Sequence, residues 1–416
     1  MPSRILGAML VAFLVMAQTK PDPHALYKAG YDARVGGDYR AAIRLLSAAI
    51  DSGKLNNNDL ATSYNNRGMA FAAIGEPTKA IADYSKAIEI APAYGPAYLN
   101  RGNVYSEQGR LDEAIAEFDM LIKVFPEYVL PYNSRGAAYY RKGEFDKAIA
   151  DFDAAIRLKP DYGNAFWNRA RAHGRKGDLT EALADFDMAV RFKPKEPEIL
   201  VDRAKAREAL DDIPGAIADL GAAIDLDPKV PLPYYERGNV RFRTGDIDKA
   251  LADYDQAIRL APEYPEPVTS RGRIELFHTN RPAAAATDLA TGVKLDPKDI
   301  YAAIWLHIAR SRNGTPDHAE LAANAKALGS GDWPWPVVQL FLGAATPDAV
   351  LGAAAADNEQ TRQEQLCEAN FYLGMFRLEN KAPVEAKMLI AKAADMCPAD
   401  MLEKAAAKAE LARLAH

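Results

Sequence analysis

Only two of the 416 residues are cysteine and only six are histidine. The histidines, His24, His173, His278, His307, His318 and His416, are scattered and form no H-E-x-x-H or comparable ligand spacing, so no metal site is expected. The phosphate-cradling G-x-x-x-x-G-K-[ST] loop, the G-x-S-x-G serine elbow and a C-x-x-C redox pair are all absent. Positive charge is not in excess either. With 51 Lys and Arg against 57 Asp and Glu, the net charge of -6 disfavours a nucleic-acid partner, whose phosphates demand a basic footprint. After residues 5–16 no long apolar run follows, so no membrane-spanning helix is expected beyond the N-terminus. The expectation is a protein with no catalytic centre, no cofactor and no small-molecule substrate.

What is present is a period. Arg67, Arg101, Arg135, Arg169, Arg203, Arg237 and Arg271 stand 34 residues apart. Ala80, Ala114, Ala148, Ala182, Ala216, Ala250 and Ala284 keep the same interval, and four residues after six of them come Tyr84, Phe118, Phe152, Phe186, Leu220 and Tyr254. Proline closes successive units at Pro92, Pro126, Pro160, Pro194, Pro228 and Pro262. Between these columns lie two amphipathic stretches separated by turn signals such as Gly109-Arg110 and Gly143-Glu144, so each unit is a helix hairpin. Glycine at Gly68, Gly102, Gly136, Gly238 and Gly272 falls mid-helix, where it costs about 1 kcal/mol against alanine, which calls for a close helix approach. Repeats of this length bury their apolar faces only by stacking on their neighbours.

The pattern resembles the tetratricopeptide repeat (TPR) family. Its motif is carried by Tyr98, Leu99, Asn100, Arg101 and Gly102 followed by Ala114, Phe118 and Pro126, and most strongly across residues 61–264. The resemblance implies an all-α fold, a right-handed superhelical solenoid of antiparallel hairpins over residues 24–298 in about eight repeats. The first unit, at 24–57, precedes the next by 38 residues, which implies a four-residue insertion near Leu55, Asn56, Asn57 and Asn58. The unit at 265–298 slips by one residue. Residues 299–416 read as a helical subdomain, in which Leu373, Gly374, Ala386, Ala393 and Pro398 return to phase as a terminal hairpin. The Ala-, Glu- and Lys-rich segment 399–414 reads as a polar cap over the last apolar face.

In this tail Trp305, Trp333, Pro336 and the run from Glu368 through Asn370, Phe371, Tyr372 and Leu373 to Gly374 are similar to the NlpI family of bacterial periplasmic TPR lipoproteins. That resemblance implies a dimerising envelope scaffold that recruits cell-wall hydrolases and a processing protease. Arg4 before the apolar residues 5–16, with Val15 and Ala17 at the cleavage positions, reads as a signal peptide at 1–17 followed by a linker at 18–23. No cysteine lies near this site, so the lipid attachment of those relatives is missing. A periplasmic or secreted protein is expected, the alternative being an uncleaved inner-membrane anchor, which alone would bring membrane contact. For Cys367 and Cys397, a disulfide and two separate buried thiols both remain open.

The arginine column reads first as structure, because Asp83, Glu117, Asp151, Asp185, Asp219 and Asp253 recur in the following helix and suit arginine's planar fork. His173 replaces a common packing position and reads as core. In the TPR family the leading helices line the concave face. Projected on those positions, this chain offers Asn103, Tyr140, Arg141, Trp167, Arg171, Arg175, Lys205, Tyr235, Asn239, Phe242, Arg243 and Arg273. A basic and aromatic groove in an acidic protein suits a peptide with acidic side chains or a free carboxylate. The expected function is therefore a non-enzymatic scaffold or adaptor that binds proteins or peptides, the alternative being an assembly component of an inner-membrane complex.

Overall fold

The computed structural model describes residues 22–328, 331–354, 358–398 and 401–415. The signal-peptide and linker expectations, apart from the last two linker residues, lie outside the described residues. The chain divides into two compact units, meeting at Lys195 and Glu196.

The first unit stacks five antiparallel hairpins: α1 (Pro23–Val35) with α2 (Tyr39–Asp51), α3 (Asn57–Ala73) with α4 (Pro77–Ile90), α5 (Gly95–Glu107) with α6 (Leu111–Val124), α7 (Val129–Lys142) with α8 (Phe145–Leu158), and α9 (Gly163–Lys176) with α10 (Leu179–Phe192). The second begins with three more: α11 (Pro197–Ala209) with α12 (Ile213–Leu226), α13 (Pro231–Arg243) with α14 (Ile247–Leu260), and α15 (Pro265–Phe277) with α16 (Pro282–Leu295). The fold is an all-α solenoid, with no strand among the described residues.

Within a hairpin the small columns set the spacing. A Cβ added at Gly102 would lie 2.6 Å from the Phe118 ring, so only glycine lets the leading helix come this near its partner. Ala80, Ala114, Ala148, Ala182, Ala216 and Ala250 are all fully buried on the facing helix. The hairpin turn needs a left-handed residue. Gly109 and Gly143 supply it with φ of 77° and 79°, whereas the sixth hairpin places Asp211 there at φ 63°.

The four-residue insertion is helical. α3 has 17 residues where α5 has 13, and its extra turn is capped by Asn56, whose Oδ1 accepts from the Asp59 N–H at 2.9 Å. The one-residue slip falls in the α15–α16 turn, where Asn280 takes φ 51°.

After α16 come α17 (Ile300–Arg312), α18 (His318–Leu328), α19 (Trp335–Phe341), α20 (Pro347–Ala353), α21 (Glu359–Glu379), α22 (Pro383–Met396) and α23 (Leu402–Arg413). The expected boundary at 298/299 is not a structural one. A single apolar core runs from Leu276 and Phe277 of α15 through Trp305, Val337, Phe341, Phe371 and Tyr372 to Ala407 of α23. The eighth hairpin and the tail therefore fold as one body, because α15 is buried almost all round, including Val268, Ile274, Leu276 and Phe277.

Cys367 and Cys397 form a disulfide, with Cα atoms 5.0 Å apart. Cys367 sits inside α21 and not at its start, since that helix begins at Glu359, while Cys397 caps the end of α22.

Candidate functional site

Leading helices approach one another along the stack, α3 to α5, α5 to α7 and α7 to α9 in the first unit and α11 to α13 and α15 to α17 in the second. They form the inner face of each unit, and the candidate residues lie on them.

Beneath that face runs the arginine ladder. Arg169 donates from Nε and Nη2 to the two oxygens of Asp185 at 2.7 and 2.6 Å, and from Nη1 to Asp153 of the preceding hairpin. Arg67 holds Asp83 the same way, at 2.8 Å from both Nε and Nη2, and reaches Ser47 Oγ at 2.9 Å. Arg101 pairs with Glu117 and Ser85, Arg135 with Asp151 and Asp119. Arg203 and Arg237 hold Asp219 and Asp253. At the slipped unit Arg271 reaches Asp288, 17 residues on instead of 16, and Asp255. Hydrogen bonds to Asp185 raise the Arg169 pKa further above its ordinary value, as expected for a cation locked in a bidentate pair. Arg67, Arg101, Arg135, Arg169 and Arg271 are thus engaged from one side by their own hairpin and from the other by the previous one.

One rung is incomplete. The place of Ser85, Asp119 and Asp255 is taken in α12 by Gly221, where an added Cβ would lie 3.9 Å from Arg237 Nη1 with no closer obstacle. Gly221→Ser is expected to stabilise the second unit by about 1 kcal/mol, through a new charge-assisted hydrogen bond and loss of a mid-helix glycine. Urea midpoints at equal m-value would measure it, and an unchanged or lower midpoint would refute it.

On the first unit's inner face Arg141, Arg171 and Arg175 are exposed, while Asn103, Tyr140 and Trp167 are partly buried. Arg171 lies over the Tyr140 ring at 5.2 Å, Arg175 over Phe145 at 5.7 Å, and Lys193 near Trp167 at 5.9 Å. Arg141 donates to the Ser106 carbonyl of the hairpin before. Adjacent repeats are also stitched by asparagine pairs, Asn100 to Asn65 at 3.0 Å and Asn168 to Asn133 at 3.1 Å. His173 is half-buried, with Nδ1 3.4 Å from Asp178 at the hairpin turn.

The second unit departs from the expected open groove. Lys205 pairs with Glu236 at 2.8 Å and Arg243 with Glu208. Asn239 accepts from the Tyr254 hydroxyl at 2.8 Å, and Tyr235 stacks edge-on against Tyr264 at 5.5 Å. Phe242 and Arg273 are buried, not open to a ligand. They are covered because α23, expected as an end cap, packs on α15 and α21 as well as α22, with Ala405 joining the cluster of Phe242, Tyr254 and Ile274.

That arrangement brings Arg273 together with Trp305, Trp333, Glu368 and Tyr372 of the tail in one buried cluster. Arg273 lies over the rings of Phe242 at 5.1 Å and Trp305 at 5.6 Å, and burial lowers its pKa. Tyr372 donates to Glu403 of α23 at 3.0 Å and accepts from Trp305 Nε1 at 3.0 Å. Glu368 accepts from Trp333 Nε1 at 2.7 Å and Tyr301 at 2.8 Å. Burial, with Glu403 nearby, pushes the Glu368 carboxyl up to about 7 against an ordinary 4.5.

A carboxyl whose folded pKa is raised stabilises the fold fully below its unfolded pKa and loses that contribution as pH rises through the folded one. The second unit is therefore expected to lose about 2 kcal/mol between pH 5 and pH 8 through Glu368, and Glu368→Gln to flatten that part of the profile. Parallel wild-type and variant stability curves over this window would refute the assignment.

Among the described residues no group of three or more His, Cys, Asp and Glu side chains is placed to hold a metal, and no helix is long and apolar enough to cross a membrane.

Tetratricopeptide repeat models match residues 61–94, 84–116, 102–143, 133–197 and 231–264. Solved structures with similar folds include a tetratricopeptide repeat protein from Parabacteroides merdae ATCC 43184, 18% identical with a TM-score of 0.48 over 60% of this chain and 98% of that one. Pseudomonas aeruginosa PilF is 17% identical with a TM-score of 0.45, over 51% of this chain and 96% of its own. YrrB, a TPR protein described as having an unusual peptide-binding site, is 21% identical with a TM-score of 0.38, over 45% and 97%. These likenesses concern the fold alone.

Proposed function

We propose that this stack of tetratricopeptide repeats is a non-enzymatic adaptor of the bacterial cell envelope, and that the inner face of its first unit binds acidic peptide segments. The observation that carries the reading is the exposed row Arg141, Arg171 and Arg175, with Arg171 over Tyr140, Arg175 over Phe145 and Lys193 near Trp167 beside them. Cations braced by aromatic faces keep their geometry before a ligand arrives, so a carboxylate gains directed bonds at small ordering cost. Stacked hairpins carry several such segments at once and raise the effective concentration of the proteins they belong to. The disulfide favours an oxidising compartment, in keeping with export to the periplasm or beyond. On this reading the similarity of the tail to the NlpI family extends to its partners, cell-wall hydrolases or a protease, and to a homodimer.

The test is capture from a native envelope fraction by the mature chain from Gln18, compared with Arg171→Glu/Arg175→Glu at matched salt. Loss of a hydrolase or protease in the reversed variant supports the adaptor and its face. Retention of every partner by a variant with an unchanged helical spectrum would overturn the proposed face. Recovery only of inner-membrane complex subunits would replace the adaptor with an assembly role.

A further inference from the structure

α23 behaves chemically as a ligand already seated on the second unit. Its buried face is Glu403, Ala406, Ala407 and Glu410, two carboxylates seven residues apart with only methyl groups between them. Each acid has a built receiving site. Glu403 accepts from Tyr372 and lies in the field of buried Arg273, while Glu410 pairs with Arg312 at 2.5 Å. Arg312 is itself partly buried, set over the Phe277 ring at 5.3 Å and donating to the Leu276 carbonyl at 2.9 Å. The basic and aromatic chemistry of the inner face is thus satisfied here by two buried carboxylates of the chain's own last helix.

The fit is incomplete. Between α23 and the α13–α15 region lies an open cleft of about 500 Å³, floored by Phe242, Ile247 and His278 and bounded on the helix side by Leu402, Ala405 and Ala409. Alanine buries little apolar area, so the hydrophobic hold on α23 is weak for a helix of its length. Larger side chains at those positions would fill space that α23 leaves empty.

We propose that this face is a receptor site for an amphipathic helix of a partner protein whose docking face carries paired carboxylates, and that α23 occupies it as a built-in competitor. The partner helix would carry two carboxylates two turns apart and larger apolar residues where α23 has Ala405 and Ala409. This deepens the peptide-binding reading above and places a second, gated site in the second unit. A competitor tethered in cis lowers apparent affinity by the fraction of time the site is vacant, so weakening the tether tightens binding.

The probe is a fluorescent peptide spanning residues 401–415 with A405L and A409L, titrated by anisotropy into the full chain. Saturable binding is expected, at least tenfold tighter than the unsubstituted peptide and at least tenfold tighter than a probe also carrying E403Q and E410Q. The full chain with Glu410→Gln is expected to bind the probe several-fold better than wild type. Hydrogen exchange on the wild-type complex is expected to show the α23 amides of the protein newly exposed while α21 and α22 stay protected, a readout that does not depend on any variant folding. Absence of probe binding to the wild-type chain, or α23 amides still protected in a saturated complex, would overturn the proposal. A dimer held by exchanged α23 that the probe cannot dissolve would also overturn it, in favour of a second copy as occupant. Arg171→Glu/Arg175→Glu leaves this binding unchanged, so failure here and failure of the first unit's face are distinguished.

Discussion

Replacing Arg169 by methionine is expected to destabilise the first unit by about 3 kcal/mol without selectively abolishing any one partner. The arginine is only partly exposed and Asp185 is nearly buried, so removal of the guanidinium leaves a carboxylate desolvated and without its two strongest bonds. Asp153, the second partner, is more exposed and returns to water at little cost. The double variant Arg169→Met/Asp185→Leu is expected to recover most of the loss, because removing both partners avoids an unpaired buried charge. Urea unfolding with exchange mapping of α8 to α10 would measure both. A single variant within about 0.5 kcal/mol of wild type would show that the ladder carries little stability and would return these arginines to consideration as ligand contacts.

Removing the Cys367–Cys397 bond, by Ser at both positions, is expected to cost the second unit about 3–4 kcal/mol, the chain-entropy value for a loop of this separation. The effect should be localised. The bond ties the middle of α21 to the end of α22, the two helices that receive α23, so the first protection to be lost belongs to α21–α23 and the first unit's exchange is unchanged. Equal loss of protection in both units would contradict this placement, as would a double-serine chain with wild-type stability.

The hairpins and the ladder were legible because both are periodic: a side chain that recurs every 34 residues must meet the same neighbour each time. Even the slip at Arg271 and Asp288 could be followed by counting. The four-residue insertion near Asn56 follows from counting, but its form does not, because only the structure shows Asn56 capping an added helical turn. That α23 covers α22 is in keeping with a terminal cap, but its reach onto α15 and α21 is hidden from the sequence for a physical reason. An Ala-, Glu- and Lys-rich helix has no apolar stripe to betray which face is inward, and its two buried glutamates look solvent-exposed until Tyr372 and Arg312 are brought to them from other helices. One signal was available. α15 carries Leu276 and Phe277 where α5 carries Ser106 and Glu107 and α9 carries Gly174 and Arg175, which marks a helix about to be covered on its inner face.

The ladder also sets rules for how such a chain can change length. Where the ladder is complete, as at Arg101, Arg135 and Arg169, an arginine takes one partner from its own hairpin and one from the hairpin before, so the unit hands a hydroxyl or carboxylate forward to its successor. Excision of residues 95–128, one full period, would bring Ser85 to Arg135 in the register that Asp119 now occupies, and the splice is expected to fold with a single cooperative melt in each unit. Excision of one helix alone leaves a donor facing no acceptor and an apolar flank facing water. Gain or loss of whole hairpins therefore keeps the ladder paired and the apolar flanks covered, whereas at α15 the inner face is already taken by α23.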